Sequence, residues 1–438
     1  MIKPEHRDGV LIKYLGTDHH HSGGGGQLRE QVHIHFLYLT TLIQNMKLTI
    51  ALAIAMGLGG MSASAMSFSA TVDSITAHNP EVIKARLEAA AARADIKNAG
   101  ALSDPELGGE YMWMPKDVDN RWNVGIEWGF EWFGVYGARK NEARAQADAF
   151  TILAEATELS QRQAIISALT NWQLQVQKLR LIEKMADANR SLLELTQTQE
   201  KGGQISKLDA NKVAIEVARY AVKIEDERQN LIEAGQTLSQ LAGGLPILEW
   251  LKDLDDDAVF DEQLPSLETV VANAGKLPAV RAAVAGTESA RRAVKVASAE
   301  GGPGLTFGYK HLFEDGMHFN GVSLGITLPI FSNRGKVEAA KARQLQAEFE
   351  AAAAERQEEA TARALWQRAE ALRNRIEPLR PVFDMTDNYA LLKQQYENGE
   401  ISLHEYQGDR LYFYDAEMEY LELQARYRNA LADLAIYY

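Results

Sequence analysis

A chain of 438 residues with 46% hydrophobic and 24% charged side chains has the balance of a folded protein rather than a disordered one. Its net charge of −14 offers nucleic acid no basic surface. The absence of cysteine excludes disulfides, thiolate metal sites and a lipid-modified cysteine at a mature N-terminus.

Residues 1–45 hold six of the ten histidines and the glycine run 23–26, and read as a low-complexity leader outside the mature protein. Met46-Lys47, the apolar stretch 48–60 and Ala63-Ser64-Ala65 form a secretory signal peptide, 46–65, with Met66 as the first mature residue. Joining 36–43 to that stretch would give a membrane helix instead. Lys47 would then lie mid-bilayer, at a cost of roughly 2.5–3.5 kcal/mol.

The first half, 66–242, opens with an alanine-rich helix over 71–97, broken at Pro105. Two strands follow, 107–114 and 121–131, joined by a turn-rich link at 115–120. Leu107, Tyr111 and Trp113 share one face of the first strand, Glu110 and Met112 the other. In the second, Trp122, Val124, Ile126, Trp128 and Phe130 face away from Asn123, Gly125, Glu127, Gly129 and Glu131. A long helix over 137–200 carries a heptad seam at Ile165, Leu169, Trp172, Val176 and Leu179. Lys201-Gly202-Gly203 reverses the chain, and Ser206 caps a return helix over 206–241. The linker 243–265 carries Asp253, Asp255, Asp256 and Asp257, read as a solvated surface.

The second half, 266–438, repeats the first. Asn79-Pro80-Glu81-Val82 answers to Leu277-Pro278-Ala279-Val280, and Pro105, Leu107 and Tyr111 answer to Pro303, Leu305 and Tyr309, all 198 residues on. Such a period is far longer than the 20–50 residues of a solenoid unit and marks a duplicated half. The copies predict a helix over 269–297, strands over 305–312 and 319–329, a helix over 335–396 and a return helix over 402–436. Val322, Leu324, Ile326 and Leu328 face away from Gly321, Ser323, Gly325 and Thr327. Pro378 and Pro381 predict a kink or break that the first half lacks.

Strands of about 10 residues, apolar on one face and small or polar on the other, fit a transmembrane β-barrel wall. A soluble sheet with one face on a core fits them too. Membrane sheets must close, and known barrels need at least 8 strands, so a chain with four spans only as an oligomer. Three chains supply twelve.

In this order of elements the chain resembles the outer-membrane efflux proteins, the trimeric exit ducts of tripartite pumps in Gram-negative bacteria. The resemblance covers about 69–437. It rests on the duplicated helix–strand–strand–helix order, on Leu328-Pro329-Ile330-Phe331 followed by Gly335, and on Tyr396-Glu397-Asn398-Gly399-Glu400-Ile401-Ser402. It implies a mixed fold, all-α plus membrane β-barrel: a homotrimer with a 12-stranded barrel in outer-membrane lipid and a long periplasmic α-helical barrel. It implies as partners a periplasmic adaptor (membrane fusion) protein and a proton-driven inner-membrane pump. The helix-reversal tips that meet the adaptor fall on Gly203, Gln204, Ile205 and Ser206 and on Gly399, Glu400, Ile401 and Ser402.

The periplasmic gate falls on Asp209, Glu405 and Asp409, although position 408, commonly a second acid in relatives, is glycine here. A ring of these acids would raise their pKa values by mutual repulsion; alternatively they cap the return helices. The lipid-facing strand residues are Trp122, Val124, Ile126, Trp128, Val322, Leu324, Ile326 and Leu328. Short hairpin links and an acidic interior resemble the heavy-metal (cobalt–zinc–cadmium) branch. His78, His311, His318 and His404 are scattered and read as lone polar residues, so no metal site, cofactor or catalytic constellation is expected. The rival reading is a structural periplasmic coiled-coil protein without a membrane barrel.

Overall fold

The computed structural model describes residues 67–116, 119–247, 251, 254, 264–331, 333, 335–383 and 387–438. The leader, the signal peptide and most of the linker lie outside the described residues.

The helix expected over 71–97 is two helices, α1 (Phe68–His78) and α2 (Pro80–Ala99). Helix-compatible composition runs through both, but Pro80 has no N–H to donate and Asn79 is held in an extended conformation. Asn79, 2% exposed, accepts from the backbone N–H of Glu81 and Val82 and donates to the Leu241 carbonyl at 2.9 Å. It thus caps α2 and ties it to the end of a return helix 162 residues on. Asn79→Ala is expected to cost about 1–2 kcal/mol, because the cap is lost and the partly buried Leu241 carbonyl loses its partner. The shift is readable as a lower denaturant midpoint of the detergent-solubilised protein. The helix expected over 269–297 is divided in the same way.

The sheet comes next. Strands β1 (Glu106–Met112), β2 (Arg121–Phe130), β3 (Gly304–Glu314) and β4 (Met317–Thr327) pair antiparallel in the order β1-β2-β3-β4. Each half supplies one hairpin, and β2 against β3 joins the halves.

Between the hairpins run α3 (Phe133–Lys201), α4 (Lys207–Leu241), α5 (Leu267–Ala274) and α6 (Pro278–Ala299). The 69 residues of α3 span roughly 100 Å without a break. After β4 the helical stretch expected over 335–396, with its break predicted at Pro378 and Pro381, is three segments: α7 (Lys336–Ile376), α8 (Arg380–Phe383) and α9 (Asn388–Glu397). Pro378 removes a donor just beyond Ile376, and Asp387 caps the restart by accepting from the Ala390 N–H. The return helix α10 (Leu403–Leu434) ends in a 3-10 turn, Ala435–Tyr437.

Many of the buried apolar side chains among the described residues gather in four clusters strung along the helices. The α3 seam crosses two of them: Ile165 and Leu169 pack with Val72, Ile75 and Leu238, and Leu179 packs against Tyr220 and Tyr414 farther along. The last cluster, Leu192, Val213, Leu392 and Tyr406, lies beside the tips. These clusters run from the middle of the long helices to the chain reversals.

Candidate functional site: the strand wall and the helical tips

The register decides which strand residues share a face, because residues directly opposite in a ladder point the same way. Trp122 pairs with Tyr111 and Phe313, Val124 with Gly109 and His311, Ile126 with Leu107 and Tyr309, and Trp128 with Phe307. Val322, Leu324 and Ile326 then pair with Tyr309, Phe307 and Leu305. One continuous apolar face crosses all four strands. Leu328 lies one residue past the end of β4 and outside the ladder, a difference from the expected 319–329. Val322 and Leu324 are 76% and 78% exposed in the single chain. A patch of this kind is rare on a soluble monomer and marks a surface that another phase or molecule covers.

The opposite face carries Glu106, Gly108, Glu110, Arg121, Asn123, Gly125, Glu127, Gly129, Lys310, Glu314 and Ser323, with Met112, Leu312, Met317 and Phe319 toward the turn ends and Asn123 donating to Glu110 at 3.0 Å. Gly125 is not open space: an added Cβ would stand 3.0 Å from the Tyr309 carbonyl oxygen. Substitutions there test packing as well as polarity.

At the far end of the helices the two reversals use one backbone device. Gly203 and Gly399 have φ of 72° and 75°, a left-handed conformation that side chains disfavour. Gly203 N–H donates to the Glu200 carbonyl and Gln204 N–H to that of Gln199; Gly399 and Glu400 repeat this with Tyr396 and Gln395. The paired pattern is a Schellman motif at each tip, closing α3 and α9. Ser206 and Ser402 then start α4 and α10. Ile401 packs into the last helical cluster, where Tyr396 and Tyr406 stack at 4.7 Å.

Of the expected gate acids, Glu405 completes a helix cap and Asp209 bonds to the serine that makes one. Ser402 accepts from the Glu405 N–H, and Glu405 Oε2 accepts from the Ser402 N–H at 2.8 Å, a complete capping box. The shorter Asp209 accepts from the Ser206 hydroxyl at 2.7 Å and from Lys212 at 3.0 Å. These bonds hold both carboxyls below their usual range: the Ser206 hydroxyl chiefly for Asp209, the Ser402 backbone N–H chiefly for Glu405. Within one protomer the shift is therefore downward, opposite to the rise expected of a crowded ring. Asp409 is exposed one turn farther along α10.

Sequence reading missed the cation beside them. Arg410, 4% exposed, lies 5.2 Å from the Tyr406 ring centroid and donates over 3.4 Å to Asn189 Oδ1 and the Met185 carbonyl. It lines a groove of about 310 Å³ with Lys212, Glu216, His404 and Gly408. A charged residue on a helical stripe gives no signal of burial without knowing which helix faces it.

No helix among the described residues is long and apolar enough to cross a membrane, which does not bear on strands. A family model described as "Outer membrane efflux protein" matches residues 71–244 and 273–437, one stretch per half. The fold is similar to the CmeC outer membrane channel of Campylobacter jejuni, with TM-score 0.70 and 15% identity over 84% of each chain. It is similar to the MtrE outer membrane channel of Neisseria gonorrhoeae in its open state, with TM-score 0.66 and 18% identity over 84% of this chain and 87% of that one. CusC, solved in a study of folding and transmembrane channel formation, gives TM-score 0.68 and 17% identity over 86% and 95%. No curated protein sequence matches the chain.

Proposed function

We propose, since the chain belongs to the outer membrane efflux protein family, that three copies form a passive exit duct whose cargo is cationic. The family fixes the coarser part: this is an outer-membrane channel of tripartite efflux systems, reaching into the periplasm, and not an enzyme. The observation that carries the rest is the two-faced sheet. Its apolar face suits lipid, its polar face suits a water-filled lumen, and β1 and β4 stand at its edges for pairing with neighbouring copies.

Cationic cargo follows from the polar face and the tips. Glu106, Glu110, Glu127 and Glu314 share that face with only Arg121 and Lys310, and Arg121 is paired to Glu314 at 3.2 Å. Asp209, Glu405 and Asp409 would add further carboxylates around the periplasmic mouth of a trimer. Rings of fixed negative charge favour cations, and heavy-metal ions are the cargo class we infer. The tips, Gly203 to Ser206 and Gly399 to Ser402, would meet the periplasmic adaptor, and an inner-membrane pump would supply the energy.

Planar-bilayer conductance tests the cargo. Replacing Asp209, Glu405 and Asp409 together with alanine is expected to reduce the cation preference of the open channel while the trimer remains. Because Asp209 and Glu405 have depressed pKa values, their stabilising contribution is present above the unfolded carboxyl range and lost as pH falls through the folded values. The wild type should accordingly lose more stability than the variant on acidification. Unchanged selectivity with that stability difference intact would leave these acids as caps and remove the gate.

A further inference from the structure

The apolar face of the sheet carries two histidines, seven residues apart in sequence, that the β3–β4 hairpin brings edge to edge. The turn Asp315-Gly316, with φ of 49° and 70°, is a two-residue hairpin turn and fixes Glu314 opposite Met317. His311 then falls opposite Asn320, and His318 opposite Phe313, so the histidines are diagonal neighbours on one face. This corrects the reading of both as lone polar residues. The register that joins them is set by turn geometry, which residue spacing does not display.

His311 Nε2 lies 3.1 Å from His318 Nδ1, with ring centroids 5.3 Å apart and ring planes inclined by only 26°. The rings therefore meet edge to edge with two nitrogens facing each other. His311 Nδ1 lies 2.8 Å from Asn320 Oδ1, which also accepts the Tyr309 hydroxyl at 2.7 Å. An amide oxygen takes the Nδ1 proton and leaves His311 Nε2 as a lone pair aimed at its neighbour. Trp122 and Phe313 flank the pair at 5.5 and 5.0 Å, while His318 is exposed to solvent.

We propose that His311 and His318 form a binding site for a borderline divalent transition ion such as Cu²⁺, Ni²⁺ or Zn²⁺. Imidazole nitrogen suits these ions. Metal–nitrogen bonds of about 2.0–2.1 Å at a tetrahedral angle hold two ligand nitrogens about 3.3 Å apart. From 3.1 Å a small outward tilt of two solvent-accessible rings is enough. The proton now shared between the rings moves to His318 Nε2 as the ion takes its place, so no proton leaves a neutral pair. Asn320 holds the outer nitrogen of His311, the orienting partner that metal-bound histidines ordinarily have.

Among the described residues no third histidine or carboxylate joins the pair, and Glu314 is engaged by Arg121. Water completes the coordination, which makes the site exchangeable rather than structural. The pair sits at the turn end of the hairpin, away from the helices. Its placement at the outer rim of the barrel rests on the duct reading, but ion binding does not.

The test is a Cu²⁺ titration of the full chain in detergent, comparing wild type with His311→Ala, His318→Ala and Asn320→Ala. Differences between variants cancel ions held by histidines elsewhere. Each histidine variant is expected to bind one ion fewer per chain, and Asn320→Ala to weaken that site without abolishing it. The wild-type-minus-variant electron paramagnetic resonance spectrum should show two imidazole nitrogens on the ion. Equal stoichiometry in all four proteins, or a difference spectrum without imidazole nitrogen, would overturn the site. If a histidine variant fails to assemble, the conservative His318→Gln replaces it, with the same loss expected.

Discussion

Arginine at Leu324 or Ile126 is expected to abolish assembly in the outer membrane, while arginine at the adjacent Ser323 or Glu127 is expected to leave it intact. Alternation sends each pair of neighbours to opposite faces of the sheet, and the register extends those faces across all four strands. An arginine on the lipid side near the midplane costs roughly 2–4 kcal/mol, and in a trimer each substitution appears three times. The summed penalty, about 6–12 kcal/mol, rivals the entire stability of an ordinary fold. Ser323 and Glu127 are exposed on the polar side, where arginine keeps its water. Heat-labile oligomer in the outer-membrane fraction is the readout. Equal loss in both sets would refute the face assignment.

At the tips, Gly203→Trp and Gly399→Trp are expected to abolish efflux while the trimer survives. Two effects must be separated. Any side chain at φ near 70° carries a strain of about 1–2 kcal/mol, confined to a turn closed by its own hydrogen bonds. Bulk is the second effect: nothing lies within 4 Å of a Cβ built at either glycine, so an indole projects away from this chain. Alanine supplies the strain without the bulk. Efflux retained by the alanine variants and lost by the tryptophan variants would mark a docking surface. Efflux retained by both would place the adaptor elsewhere, and equal loss in both would leave only the turn conformation.

Alternation was enough to mark the strands, since a half-covered sheet needs one apolar and one small or polar face, and Val124, Ile126 and Leu324 show it locally. The tips were legible for a similar reason: glycine ends a helix and serine starts one within four residues. What the sequence hid depends on distant partners. Helical composition continues across Asn79-Pro80 and Leu277-Pro278, so the breaks there appear only through the proline's missing donor and, at Asn79, its bond to Leu241. Arg410 reads as a surface charge until α3 is laid against it. Gly125 reads as open lumen until the Tyr309 carbonyl is placed beside it. Asp209 and Glu405 read as ring or cap, and within one protomer Glu405 completes a capping box while Asp209 bonds the capping Ser206 and Lys212.

The claim that three four-stranded sheets close into one barrel is tested most directly by disulfide cross-linking between β1 and β4. The chain has no cysteine of its own, so every thiol is an introduced one. One cysteine goes at Leu107 or Gly109 on β1 and one at Val322, Leu324 or Ile326 on β4, all on the same face. Only paired edges bring Cβ atoms within the roughly 3.5–4.5 Å that a disulfide requires. At least one combination should give, in the outer-membrane fraction, a covalent ladder of two and three chains that stops at three and resists heat. Recovery of the chain as a soluble monomer, or the absence of any β1–β4 cross-link in membrane-embedded protein, would contradict the barrel.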